Sequence, residues 1–296
     1  MQYPRLRFAD RFLGEAASDA LLICFYMKHS HEQIAPLILR ALDIFRERIQ
    51  PLTLDWYIDP DAQTHPLDGT QWESIRKEMV GPEENFFPRF AGTPERVGGL
   101  YVEYKGLRIP SRWPARQHDA CSLYLRLPTE FLEARGPSQV RELAVAVANE
   151  LPFNSGFVDL SFGWVNPVED AIDLIHKRYP GLHLNREGPQ LDMDTHVDGV
   201  HWMNFLSQPV LGKLGGIAAL RERLNLPGIS IQELSGDRLL ISLGDAPNPG
   251  DTEAGETLPL HRALARLLEP YLYRNTRPLG RMTPEDMRRW ERRFLD

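Results

Sequence analysis

Apolar runs alternate with amphipathic stretches from the start of the chain. Residues 20–27 form a continuous apolar run, which is too short to span a membrane and is typical of a buried strand. Apolar residues then recur at helical spacing from Ile34 to Phe45, within a helix predicted over residues 31–50 and ended by Pro51. A short strand is predicted over residues 52–58. Strands and helices therefore alternate here without the regular spacing of a doubly wound parallel sheet.

The rest of the first half continues this mixture. Paired strands are predicted over residues 98–106 and 120–127, and another strand over residues 156–164. Thr70 is the predicted cap of a short helix that ends at Met79, and Ser138 is the predicted cap of an amphipathic helix that ends at Leu151. A further helix, predicted from Asn166, ends at residues 179–181, where Pro and Gly interrupt the pattern.

The second half predicts a strand over residues 200–206, a helix over 217–224 and a hairpin of residues 228–234 with 238–243. Helices over residues 258–272 and from Thr283 follow. This order predicts the α+β class, with mixed or antiparallel sheets flanked by helices. The Pro-Gly break predicts two packed halves, residues 1–180 and 181–296.

The formal net charge of −7 is unevenly distributed. Residues 182–260 hold eleven Asp and Glu against five Lys and Arg, whereas residues 261–296 hold nine Arg against five acids. Phosphate backbones require clustered cations, so the overall acidity argues against a nucleic-acid partner. Near the N-terminus, scattered charges replace the apolar stretch of a secretory signal, so we expect a cytoplasmic protein without a membrane partner. Cys24 and Cys121 lie in apolar strand patterns and are expected to be buried free thiols.

The densest group of potential metal ligands is Asp192, Asp194, His196, Asp198 and His201. On an extended segment the first four side chains would project to one side, where they could hold zinc or manganese and activate water. Their spacing matches no established ligand motif, and a solvated loop before a strand explains them equally simply. A metal-dependent hydrolase that uses residues 192–201 is therefore the alternative function.

Other catalytic motifs do not occur in the sequence. The Ser-Gly pairs at residues 155–156 and 235–236 lack the nucleophile elbow, and residues 213–216 lack the pattern of a phosphate-binding loop. No catalytic residue, metal site or cofactor is therefore assigned, and the chain is interpreted as a binding protein and not as an enzyme. Trp113, which follows Arg112 in a proline-rich loop, is a candidate contact anchor. A structural adaptor that binds through Trp113 or the arginine-rich tail is a third interpretation.

Several Gly, Pro and Trp motifs carry a resemblance to a known family. They are Arg178-Tyr-Pro-Gly-Leu182, Gly199-Val-His-Trp-Met-Asn-Phe-Leu206, Leu214-Gly-Gly216 and Gly244-Asp-Ala-Pro-Asn-Pro-Gly-Asp251. With them the chain resembles the type VI secretion immunity proteins that protect against VRR-Nuc toxins, which are nucleases of the restriction-endonuclease-like kind. The resemblance implies a cytoplasmic protein that binds and neutralises its cognate toxin. Motifs of this composition form turns, so they identify a scaffold and not an active site.

The acidic stretch suggests a way to bind such a toxin. A nuclease cleft is electropositive, so carboxylates can take the place of the DNA charge. The predicted partner-binding residues are Asp192, Asp194, Asp198, Asp245, Asp251, Glu253, Glu256 and Trp113. The competing interpretation is that these acids only keep the protein soluble. Occlusion of the toxin's active site and interference with its assembly are both compatible with the resemblance, and the oligomeric state is left open.

Overall fold

Strand β2 (Gly14–Met27) lies at the centre of a large sheet and contains the apolar run at residues 20–27. The computed structural model describes residues 3–10, 14–94, 99–164, 169–185, 191–275 and 277–296. β2 pairs antiparallel with β8 (Ser155–Trp164) over ten residues, from Ala17 opposite Trp164 to Tyr26 opposite Ser155. This long ladder is the axis to which the other elements attach.

The remaining strands of the described residues are β1 (Arg7–Asp10), β3 (Trp56–Ile58), β4 (Thr64–Pro66), β5 (Arg89–Ala91), β6 (Tyr101–Lys105), β7 (Cys121–Leu127), β9 (His183–Leu184), β10 (Met203–Leu206), β11 (Ile229–Leu234) and β12 (Arg238–Leu243). The helices are α1 (His31–Arg48), α2 (Gly69–Met79), α3 (Thr129–Arg135), α4 (Pro137–Glu150), α5 (Glu169–Arg178), α6 (Val210–Lys213), α7 (Gly216–Arg223), α8 (Pro259–Leu268) and α9 (Pro284–Glu291).

The strand order is β11-β12-β10-β8-β2-β7-β6-β5-β3-β4, with β1 joined to β2 and β9 joined to β8. The β8–β9 pair is parallel, and the other pairs between these strands are antiparallel. The predicted α+β class is therefore confirmed. Since β8 pairs with β10, the sheet continues across residue 180. The division into residues 1–180 and 181–296 stays a prediction about domain organisation.

The two faces of β2 bury different sets of side chains. Leu21, Ile23, Phe25 and Met27 belong to the main core cluster, which also contains the apolar faces of α1 and α4. Side chains alternate along a strand, so Leu22, Cys24 and Tyr26 point to the opposite face, where they pack in a separate cluster with Met193. Another cluster lies beneath α8 and includes β12 residues. Burial on both faces explains why residues 20–27 are apolar without alternation.

The structure corrects two of the predicted helix caps. Helix α2 is capped by Asp68, whose side chain accepts a hydrogen bond of 2.8 Å from the backbone N–H of Gln71. Thr70 instead lies inside the helix, because the helix begins at Gly69, two residues earlier than a cap at Thr70 predicts. Ser138 likewise lies inside α4, which begins at Pro137. The helix predicted from Thr283 is confirmed, and Thr283 caps it in a reciprocal capping box with Asp286.

Both cysteine predictions are confirmed, since Cys24 and Cys121 are buried free thiols. Burial raises the pKa of the Cys121 thiol to about 11, so this thiol stays protonated at neutral pH. Across the described part of the chain, no helix combines the length and the apolar composition needed to cross a membrane.

Gly156 allows aromatic rings to meet across the central ladder. It lies opposite Phe25 in β2 and opposite Phe205 in β10, and the centroids of these two rings are 5.1 Å apart. A Cβ atom at residue 156 would meet the Phe25 ring and come within 2.7 Å of the Cys24 carbonyl oxygen. The missing side chain of Gly156 is therefore part of the core packing.

We expect Gly156→Ala to lower the free energy of unfolding by about 1–3 kcal/mol, because the added methyl group overpacks a core that has no room for it. Denaturant unfolding of the two proteins measures the difference. Gly69→Ala is the matched control, since a Cβ atom there meets nothing within 4 Å. Equal stability of Gly156→Ala and the unmodified protein would contradict this packing argument.

Candidate functional site

The segment from Asp192 to Asp198 is a series of turns and not the extended strand that the sequence suggested. Asp194 has a left-handed backbone with φ of +47°, and Val197 forms a parallel bridge with Leu272. The side chains of Met193 and Val197, which alternate with the acids, are buried in the protein. The carboxylates consequently leave the backbone in different directions, and the predicted projection of four ligands to one side is wrong.

Asp198 lies inside the protein. Its carboxylate accepts a hydrogen bond of 2.7 Å from the hydroxyl of Tyr26, and that hydroxyl is 2.8 Å from the hydroxyl of Tyr124. Both tyrosines are buried. Asp198 is therefore removed from the surface that was predicted to face a partner, because hydrogen bonding to buried hydroxyls keeps it in the core.

His201 is also buried and belongs to a polar group in the interior. Its ring stacks on Phe157 with centroids 3.9 Å apart, and Nδ1 is 3.3 Å from a carboxylate oxygen of Asp159. Burial raises the pKa of Asp159, although the hydrogen bond from His201 opposes the shift. His183 lies beside both rings. These contacts give His201 a structural role in the interior.

Asp194 and the exposed Asp192 remain near the surface. The Asp194 carboxylate is 2.8 Å from the ammonium of Lys28 and 3.7 Å from His118. Partial burial works against ionisation of Asp194, but hydrogen bonding and charge from Lys28 outweigh it and lower the pKa. His196 is exposed, and its Nδ1 lies 3.1 Å from the carbonyl oxygen of Met193. Among the residues that the structure describes, no three His, Cys, Asp or Glu side chains are arranged to hold a metal ion.

The other predicted acids come together on a separate surface, the acidic groove. This groove has a volume of about 500 Å³ and is lined by Tyr3, Pro4, Tyr179, residues 245–249, Asp251 and Glu256. Asp245 and Glu256 are exposed, and Glu253 is exposed beside them in the same loop. Carboxylates, tyrosines and prolines thus face one concave surface.

Arg178 fixes the loop that carries these acids. Its guanidinium donates hydrogen bonds of 3.0 and 2.7 Å to the two oxygens of Asp251, and it lies 2.7 Å from a carboxylate oxygen of Glu253. The backbone N–H of Gly181 also donates to the carbonyl of Pro249 at 2.8 Å. Two motifs that were singled out for their resemblance, residues 178–182 and 244–251, are therefore in direct contact. A bidentate arginine holds such a loop in one geometry.

Trp113 lies at the other end of the sheet. It belongs to the connection between β6 and β7, next to Lys28, whose ammonium bonds to the Gln117 carbonyl. Tyr3 of the acidic groove instead belongs to the N-terminal segment, where Leu6 bonds to Asp19. Asp19 lies in β2, and Lys28 directly follows its last residue. The nine residues between these positions correspond to about 30 Å in a strand. The predicted partner-binding residues therefore divide into two surfaces, with Asp192, Asp194 and Trp113 at one end.

A protein-family comparison identifies the scaffold. The family TsiV, described as type VI immunity for VRR-NUC, matches residues 37–294. The chain belongs to this family. The resemblance found in the sequence is thereby confirmed, and the TsiV match covers both predicted halves. No curated protein matches the chain in sequence.

A solved structure supports the same fold for this TsiV member. The type VI secretion protein PA0821 of Pseudomonas aeruginosa is similar with a TM-score of 0.78 and 21% sequence identity. The alignment covers 98% of this chain and 87% of that one. At this identity the likeness shows a shared fold and does not by itself transfer a function.

Some residues of these surfaces escaped the sequence analysis. Arg178 was noted only as part of a turn motif, because its partner Asp251 is 73 residues away. Phe87, which is exposed and lines a groove with Tyr57 and Phe86, was not singled out either, although a Phe-Phe pair between Asn85 and Pro88 places apolar rings among turn formers. That local contrast is a usable signal for Phe87. No local signal exists for Arg178.

Replacement of Arg178 tests how the acidic groove is held. The hydrogen bonds from Arg178 lower the pKa of Asp251, and burial only partly opposes them. We therefore expect Arg178→Gln to raise the pKa of Asp251 towards its ordinary value, as measured by NMR titration of the side-chain carboxyl. Arg221→Gln, which removes an arginine paired with Glu233, is the control and should leave Asp251 unchanged. An unaltered titration in Arg178→Gln would show that the loop acids do not depend on this pair.

His261 makes stability depend on pH. Burial, together with the nearby charges of His201 and Arg293, lowers the pKa of His261 from 6.5 to about 3. Between these values the unfolded chain binds a proton at His261 that the folded chain does not. Stability is therefore lost as the pH falls from 6.5 towards 3, by up to about 1.4 kcal/mol per pH unit for this group.

We expect His261→Leu to flatten this part of the stability profile, as measured by denaturant unfolding at several pH values between 7 and 4. His29→Gln, which removes an exposed histidine, is the matched control and should retain the profile of the unmodified protein. A profile of His261→Leu parallel to that of the unmodified protein would rule out His261 as the titrating group.

Proposed function

We propose that this TsiV protein binds a VRR-Nuc toxin and neutralises it by direct protein–protein contact, without catalysing a reaction. The family description supplies the class of toxin. The observation that supports this mode of binding is the acidic groove, which is lined by exposed Asp245 and Glu256, with exposed Glu253 on the same loop. We further propose that the two proteins meet in the cytoplasm, where DNA is accessible to a nuclease.

The chemistry of the groove fits a cationic partner surface. A nuclease must present positive charge to phosphate groups, and carboxylates can occupy those positions in place of DNA. Arg178 neutralises part of the charge of Asp251 and Glu253, whereas Asp245 and Glu256 line the groove and are exposed. Tyr3 and Tyr179 add rigid apolar walls beside these acids. We therefore favour occlusion of the toxin's DNA-binding cleft over interference with toxin assembly.

The loop geometry also favours tight binding. The Thr252 hydroxyl is within 3.2 Å of the carbonyls of Lys177 and Arg178, and Glu256 accepts a hydrogen bond of 3.0 Å from the Asp251 backbone. With the Arg178 pair, these bonds hold the loop on α5 before any partner arrives. A loop ordered in advance loses less conformational entropy when it binds.

Charge reversal of the groove tests this function. We expect the double variant Asp245→Lys with Glu256→Lys to slow association with the nuclease-inactive toxin by about 10-fold or more at low salt, because electrostatic steering is lost. Stopped-flow association at several salt concentrations measures the effect, and co-expression with the active toxin measures protection. DNA should compete with the unmodified protein for the toxin.

The control is the double variant Glu142→Lys with Glu222→Lys, which changes the net charge equally through exposed acids on α4 and α7. It should keep both the rapid association and the protection. If both double variants bind and protect like the unmodified protein, the acidic groove has no role in neutralisation. If the unmodified protein neither binds nor protects, the proposed function is wrong.

A further inference from the structure

We propose that a second surface, the Trp113 face, docks on an acidic and partly apolar patch of the toxin that lies outside its DNA-binding cleft. The Trp113 face consists of the loops at residues 80–89 and 108–116 with the groove between them. This inference rests on the proposed function, since it takes the toxin as the partner.

Large apolar side chains are concentrated on this face. Trp113, Val80 and Phe87 expose 70%, 53% and 52% of their surface. Phe87 lines a groove of about 560 Å³ with Tyr57 and Phe86. Val80 is two residues beyond Glu78, which lines the same groove. Exposed aromatic side chains grouped around a concavity are typical of protein contact sites, and tryptophan is the residue type that most often dominates binding energy there.

Hydrogen bonds already hold the two loops together. The carboxylate of Glu84 forms salt bridges with the guanidinium groups of both Arg108 and Arg112. The side chain of Asn85 accepts a hydrogen bond of 3.0 Å from the backbone N–H of Arg108. Phe86 forms an antiparallel bridge with Gly106. The Trp113 face is thus fixed on the end of the sheet, so little entropy is lost when a partner covers it.

The charges that surround these rings determine the kind of partner. Arg108 and Arg112 share the single carboxylate of Glu84, which leaves an excess of positive charge. Arg89 and Arg116 also line the groove. The acids of the face besides Glu84 are Glu78, Glu83 and Glu103, and Glu103 lies 3.5 Å from the ammonium of Lys105. The two loops and the groove therefore hold five cations against four acids. Aromatic rings beside surplus guanidinium groups complement a partner surface of apolar side chains flanked by carboxylates. The guanidinium groups would repel a cationic cleft.

The position of the Trp113 face makes it a separate contact. It lies at the Lys28 end of β2, which is about 30 Å along the strand from the Asp19 end, where the N-terminal segment with Tyr3 of the acidic groove is attached. A standard interface covers about 800 Å² on each partner, which is a patch roughly 30 Å wide. One such patch centred on the acidic groove cannot include Trp113. A toxin held at both surfaces presents its cationic cleft to one end of the sheet and an acidic patch to the other.

The test measures the dissociation constant of the full-length chain for the nuclease-inactive toxin. We expect Trp113→Ala to weaken binding by about 10- to 100-fold, as for a buried anchor, and Trp113→Phe to weaken it less. Arg112→Glu should weaken binding more than Arg112→Ala, because it places like charges together. In the complex, hydrogen exchange should slow at residues 108–116. Leu226→Ala, which shortens an exposed apolar side chain elsewhere, is the control and should change the constant less than 2-fold.

Three outcomes would overturn the inference. The first is that Trp113→Ala binds the toxin as tightly as the unmodified protein. The second is that residues 108–116 exchange hydrogen as fast in the complex as in the free protein. The third is that Arg112→Glu strengthens binding. In each case, continued loss of binding in the acidic-groove variants would leave the proposed function intact. Failure of the unmodified protein to bind the toxin would instead remove both proposals.

Discussion

The structure depends on the ten-residue antiparallel ladder between β2 and β8. Residues 17–27 of β2 and 155–163 of β8 are buried, and their side chains alternate between two separate clusters, so a shift of one residue would exchange the faces of both strands. Gly156 allows the rings of Phe25 and Phe205 to meet across this ladder. The register fixed here determines where every connecting loop leaves the sheet, including the loops that form the two proposed contact surfaces.

One face of the ladder also explains why Asp198 and His201, in the segment of residues 192–201, are buried. Tyr26 points to that face and hydrogen-bonds Asp198, while β8 supplies Asp159 beside His201. A buried carboxylate needs such partners, and in return it anchors the segment before β10 to the sheet. Residues that resemble catalytic ligands in the sequence therefore stabilise the interior, and the surface is left to Asp192 and Asp194.

The resulting molecule has two chemically different ends. At one end Arg178 organises a groove of carboxylates and tyrosines, and at the other Glu84 organises arginines around Trp113. In each case one charged side chain holds groups of opposite charge from a distant loop, so the surface exists before a partner binds. This arrangement suits an immunity protein of the TsiV family, which must recognise its toxin quickly and specifically.

Local patterns along the chain were sufficient to predict the α+β class, most strand and helix positions, the buried thiols and the family. These features depend on local periodicity, on turn residues such as Gly236, and on motifs contiguous in the chain. The packing of the folded chain was needed to show that Asp198 and His201 are internal, that Arg178 contacts Asp251, and that the predicted contact residues form two surfaces. Such facts depend on pairings between residues far apart in sequence, which local patterns do not encode, because the free energy of burying a charge is set by neighbours from other strands.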